Sequence, residues 1–92
     1  MGSVINPDPM PAGTFAAARK HSVTIAGHPT SLRIEPVFWD ALQQEAADLA
    51  LPVNALLARI DAARLESKEP PNLASAVRMW LFATALRRAA ST

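Results

Sequence analysis

A short alternating run, followed at once by two helical stripes that each open on a proline, constrains this chain most. In Thr30-Ser31-Leu32-Arg33-Ile34 the side chains of Thr30, Leu32 and Ile34 point one way, and Ser31 and Arg33 the other. That is the period of a half-buried strand. Glu35-Pro36 ends the run and opens a helix, because proline fits a first helical position where its missing N–H costs nothing. The Glu35 carboxylate is expected to accept the exposed N–H groups there. Phe38, Leu42, Ala46 and Leu49 then follow helical spacing to about Ala50, with Trp39 and Ala41 widening the stripe. Leu51-Pro52 breaks this helix and Pro52 opens the first turn of the next, which carries Val53, Leu56, Leu57, Ile60 and Ala63.

A second alternating run lies upstream, in His21-Ser22-Val23-Thr24-Ile25, and Ala26-Gly27-His28-Pro29 breaks it. The two runs form a hairpin with each other, or each seeks another chain. Downstream, Asn72 is placed to cap a third helix over residues 72–89. Leu73, Val77, Trp80, Leu81 and Thr84 mark one face of it, and Met79, Phe82 and Leu86 another. So much apolar girth predicts burial on two sides, or sharing with another chain. Residues 1–18 read as a flexible, proline-containing tail, and 19–92 as one domain.

Composition narrows the function. The chain has 92 residues, nineteen of them alanine, which leaves a thin core for a monomer and no large cleft. There is no cysteine, hence no disulfide and no zinc-thiolate site. No apolar run reaches membrane-spanning length and no secretion signal opens the chain, so a cytoplasmic address is expected. Neither a phosphate-binding glycine loop nor a Ser–His–Asp pattern is present. Asp40, Glu45 and Asp48 read as solubilising charge, and His21 and His28 lack further ligands nearby. No enzyme activity, cofactor or metal is expected. Net charge is only +1, yet residues 19–34 hold Arg19, Lys20 and Arg33 and no acid, which predicts a weak positive patch.

The order strand, helix, short turn, helix leaves one strand with unpaired N–H and C=O groups. Two chains pairing antiparallel through Thr30–Ile34 would satisfy them, with Leu32 and Ile34 facing four helices and Ser31 and Arg33 facing solvent. Here the chain resembles the ribbon-helix-helix domain of the Arc/MetJ/CopG repressor superfamily. Leu32, Ile34, Phe38, Ala41, Leu42, Ala46, Val53-Asn54, Leu57 and Ile60 carry the resemblance. The wider string Arg19–His28, with Thr30-Ser31 and Phe38–Leu42, and the stretch Asn72-Leu73-Ala74-Ser75-Ala76-Val77-Arg78, resemble a bacterial subgroup with an added N-terminal segment.

The resemblance implies a mainly α, intertwined homodimer whose intermolecular two-stranded ribbon enters the DNA major groove. An added N-terminal strand and a third helix complete it. On that reading Arg33 and Ser31 contact bases. Val53, Asn54, Arg19, Lys20 and His21 contact the DNA backbone. Leu32, Ile34, Phe38, Leu42, Leu57 and Ile60 form the dimer core. The partner is double-stranded DNA and the function transcriptional repression, with a tetramer through the C-terminal helix as a further expectation. Two residues depart from the family pattern: Pro52 stands where a hydroxyl residue is common, and Pro29 offers a base no hydrogen bond. The alternative is a protein-interaction or antitoxin-like module on the same fold.

Overall fold

The computed structural model of the chain describes residues 11–91. Two strands, β1 (Arg19–Ile25) and β2 (His28–Ile34), precede three helices, α1 (Pro36–Asp48), α2 (Val53–Leu65) and α3 (Leu73–Ala90). The tail expected over residues 1–18 falls partly outside the described residues; Pro11–Phe15 forms a turn, with the Thr14 N–H and hydroxyl both donating to the Pro11 carbonyl.

β1 and β2 pair with each other, antiparallel, from Arg19–Ile34 to Ile25–His28. The connection is Ala26-Gly27, with φ of 51° and 82°. Two left-handed residues in a two-residue loop make the type I′ turn, whose twist matches that of the strands. β2 thus has a partner in its own chain along one of its two edges. Such a loop makes Ile25 and His28 a hydrogen-bonded pair, and bonding alternates from there. The N–H and C=O groups of Ser31 and Arg33 therefore point away from β1. Pro29 shares that outward register, so its missing N–H removes no bond from the hairpin.

One face of the hairpin rests on the helices. Val23, Ile25, Leu32 and Ile34 join Leu42 and Ala46 of α1, Leu56, Leu57 and Ile60 of α2, and Ala76, Val77 and Leu81 of α3 in one buried cluster. Ile34, Leu42, Leu57 and Val77 are each 0% exposed. Burying each such side chain is worth about 1.5–3 kcal/mol. Leu32, Ile34, Leu42, Leu57 and Ile60, expected in a dimer core, are thus buried within one chain, while Phe38 is only half-buried. β1 and α3 cover part of this core within the chain.

Helix ends follow local chemistry. α1 stops at Asp48 rather than Ala50: the Leu51 N–H donates to the Ala46 carbonyl (2.8 Å) and the Ala50 N–H to that of Ala47 (3.0 Å). This is a Schellman motif, with alanine at φ 55° where glycine is usual. Leu49 consequently falls past the helix end and is exposed. Ala50→Gly should relieve the left-handed alanine and raise stability by about 1 kcal/mol, read as a higher melting temperature by circular dichroism. Ala26→Asn should act in the same direction for the same reason.

Pro52 is the N-cap of α2 rather than its first helical residue, its carbonyl accepting from Ala55 and Leu56. Asn72 caps α3 as expected, its Oδ1 accepting from the Ser75 N–H at 2.8 Å. Arg64 binds Asp61 and the Pro71 carbonyl, tying the linker back to α2. α3 buries one side only: Ala76, Val77, Leu81 and Thr84 face inward, whereas Met79, Phe82 and Leu86 are exposed, Phe82 at 66%. No helix among the described residues is long and apolar enough to cross a membrane.

Candidate nucleic-acid interface

The outer face of the hairpin is built by strand alternation. Lys20, Ser22 and Thr24 of β1 and Pro29, Ser31 and Arg33 of β2 are all exposed on the side opposite the core. The register sets them in three rungs: Lys20 with Arg33, Ser22 with Ser31, and Thr24 with Pro29. These are the non-hydrogen-bonded pairs, in which facing side chains come closest. Like charges directly opposite each other are unfavourable in a sheet. Here Lys20 and Arg33 stand in that relation, and neither strand contains an acid to offset them.

The N-terminus of α2 lies beside β1. The Thr24 N–H, turned away from β2, donates to Oδ1 of Asn54 at 3.4 Å. The Asn54 side-chain oxygen is therefore engaged with the ribbon, while the backbone N–H groups of Val53 and Asn54 belong to the first turn, where no intrahelical acceptor exists. Pro52 offers no side-chain cap. The start of α3 lies beside the other edge: Asn72, Leu73, Ala74 and Arg78 line a groove of about 400 Å³ with Ser31, Leu32 and Arg33.

Not every residue expected at the DNA backbone shares this face. Arg19 pairs with Ile34 and is exposed at the ribbon's end, on the helix side. His21 sits opposite Leu32 and stacks on Trp39, ring centroids 3.8 Å apart and planes 9° from parallel. Its Nε2 is buried without a hydrogen-bond partner. The structure thus places His21 in the packing between β1 and α1, apart from Lys20 and Arg33.

Glu35 is the N-cap of α1 through its backbone carbonyl, which accepts from the Phe38 and Trp39 N–H groups, but its side chain does not cap. Its carboxylate takes a two-point ion pair from Arg78 of α3, Nε to Oε1 at 2.9 Å and Nη2 to Oε2 at 3.1 Å. Arg78 also lies over the Phe38 ring, 5.8 Å from its centroid, within cation–π range. The Arg78 hydrogen bonds hold the Glu35 carboxyl below the usual carboxylate range. A lowered folded-state pKa contributes stability that is fully present above the ordinary glutamate range and lost as pH falls through the lowered value. Glu35→Gln should therefore flatten the acid limb of the stability–pH curve below that range and leave neutral-pH folding intact, as read by urea denaturation. The pair also neutralises the acid nearest Arg33 in the sequence.

Sequence reasoning named Ser31, Arg33 and Lys20 but missed Ser22 and Thr24 as members of the same face, and Arg78 as the partner of Glu35. The first omission had a signal. With Ala26-Gly27 as a two-residue loop, every rung follows by counting. The second had none, because residues 35 and 78 meet only through tertiary packing.

Among the described residues no group of three or more His, Asp or Glu side chains is arranged to hold a metal ion. No curated protein and no solved structure matches the chain. The family model described as a ribbon-helix-helix domain matches residues 18–85, from the base of β1 through most of α3, and the chain belongs to that family.

Proposed function

We propose that this protein is a sequence-specific DNA-binding regulator of transcription, a repressor, that presents the outer face of its ribbon to the major groove of double-stranded DNA. Domains of its family are non-catalytic DNA-binding modules. The observation that carries the reading is the acid-free ribbon face on which Lys20 stands directly opposite Arg33. A polyanion offsets the repulsion that this pairing stores. Arg33 has the donor fork to grip a guanine edge, and Ser31 can donate or accept beside it. The free N–H groups of Val53 and Asn54 suit a phosphate, as helix N-termini do. Lys20, and Arg19 at the ribbon's end, supply charge near the backbone.

The reading is tested by selecting duplexes from a randomised pool with the full chain and titrating the recovered sequence by fluorescence anisotropy. A defined motif should emerge, and affinity should fall linearly on a log–log plot against salt. Failure to retain any duplex at low salt overturns the proposal.

The exposed stripe of Met79, Phe82 and Leu86 favours a second, compatible role for α3. The spacing is self-complementary about Phe82: in an antiparallel arrangement Met79 meets Leu86 of the other copy and Phe82 lies at the axis. We assign this stripe to the contact through which homodimers associate as a tetramer. Sedimentation of the full chain decides it, and a species no larger than a dimer at all concentrations removes it.

A further inference from the structure

We infer that Arg78 of α3 is a positioning residue for DNA recognition: by holding the Glu35 carboxylate, it keeps the Arg33 guanidinium free for the duplex. This rests on the DNA-binding reading above and adds a helical residue to it.

The need for such a residue follows from the strand. Glu35 is the one acid between residues 19 and 39. Its backbone is still extended, at φ −67° and ψ 145°. The pleat therefore carries one step past β2 and sets Glu35 on the same side as Ser31 and Arg33. Positions two apart along a strand are ~6.8 Å apart, within mutual reach of a glutamate and an arginine side chain. A loose carboxylate there would act against binding in two ways. It would compete with a guanine edge for the Arg33 fork, which matches a carboxylate equally well. It would also repel phosphates at that end of the ribbon.

The stretch Asn72–Arg78 removes both effects. Asn72 fixes the start of α3 by accepting from the Ser75 N–H, and Ala76 and Val77 seat the next turn in the core. Arg78 follows directly and lines one groove with Ser31, Leu32 and Arg33. Its guanidinium meets both Glu35 carboxylate oxygens, at 2.9 and 3.1 Å, while lying over the Phe38 ring. A two-point grip fixes orientation as well as distance.

Among the described residues the Arg33 side chain makes no hydrogen bond or ion pair. Of two arginines near one carboxylate, the helical one takes it and the strand one stays open to a ligand. Each side chain of the Arg78–Glu35 pair is 33% exposed, and a pair so exposed adds little to stability. Its effect on the charge beside Arg33 is the larger one.

A double-substitution cycle on the full chain tests this, read by anisotropy on the duplex recovered by selection. Arg78→Met removes the charge and keeps a long stem over Phe38. It should weaken binding by roughly five- to tenfold at moderate salt and relax base preference at the position read by Arg33. Adding Glu35→Gln should bring affinity back to within about twofold of the unaltered protein and restore the preference, although the ion pair is still missing. Glu35→Gln alone should change affinity by about twofold at most. A role in packing alone gives no such rescue, because the double variant lacks the pair as much as Arg78→Met does. Direct contact of Arg78 with a phosphate gives none either. Melting curves report folding. If Arg78→Met does not fold, Arg78→Lys takes its place, keeping the charge without the fork, with a smaller loss and the same rescue. The inference is overturned if the folded single variant binds as the unaltered protein does, or if Glu35→Gln fails to restore its binding. Equal strengthening by Glu35→Gln with and without Arg78 overturns it too. If the unaltered protein retains no duplex, the functional reading itself has failed.

Discussion

Leu57→Ala is expected to lower stability by about 2–5 kcal/mol, the range for truncating a large side chain in a packed core. Leu57 has no exposed surface and lies in the cluster joining the hairpin to all three helices. A domain of this size has roughly 5–14 kcal/mol in total, so the variant should be largely or marginally unfolded, with its urea midpoint lowered by roughly 1–3 M. Phe82→Ala, at an exposed position, should stay within about 0.5 kcal/mol of the unaltered monomer. The comparison also separates two architectures. Where a core is intertwined between chains, a stable folded monomer is often absent. Here the same residues are buried in a single chain, so the protein diluted until it sediments as single chains should keep its helical circular dichroism. Unfolding on dilution would show that the core is shared, and would return Leu32, Ile34 and Leu57 to a subunit interface.

Much of this arrangement was legible in the sequence. Alternation in residues 30–34 put Leu32 and Ile34 inward and Ser31 and Arg33 outward, and the structure agrees. The proline-opened helices lie within two residues of where the stripes put them, and Asn72 caps as its side chain allows. The illegible part was what covers the core. Strand alternation says which side of β2 is buried and nothing about whose atoms bury it. A short apolar strand seeks a partner, and the sequence offered two: a second chain, or the run at Val23 and Ile25. The loop pairs the two runs with each other, and Ala26 concealed the loop. Alanine rarely takes a positive φ, so Ala26-Gly27 did not read as a type I′ turn. Ala50 concealed the end of α1 in the same way.

Side-chain partners across long separations were equally hidden. Glu35 looked like an unusual helix cap, its carboxylate able to accept the exposed N–H groups of the first turn. The helix instead begins without a side-chain cap, and Arg78 claims the carboxylate. His21 looked like part of a basic arm by its neighbours Arg19 and Lys20, yet strand alternation sends it to the opposite face from Lys20, against Trp39. Proximity in sequence grouped these three residues; the pleat separates them. The residues that remain together on the outer face are polar or basic without exception apart from Pro29, and the charge there comes from one residue of each strand.

That division of charge makes Arg33→Glu the most informative substitution. In most sites a charge reversal harms fold and function together, so the two losses are hard to separate. Here the reversal replaces a like-charge rung with an opposite-charge one opposite Lys20, which should stabilise the hairpin by about 0.2–1 kcal/mol. The same change deletes the fork proposed to grip a guanine, a contact worth about 1–3 kcal/mol of discrimination, and sets a carboxylate where phosphates are proposed to pass. Duplex affinity should fall by roughly 100-fold or more at moderate salt. The melting temperature should rise or hold while binding collapses. A variant that is more stable and binds no DNA identifies Arg33 as a residue kept for its ligand at a cost to the fold. A variant that binds as well as the unaltered chain removes the ribbon face from the interface, and with it the role proposed for this protein.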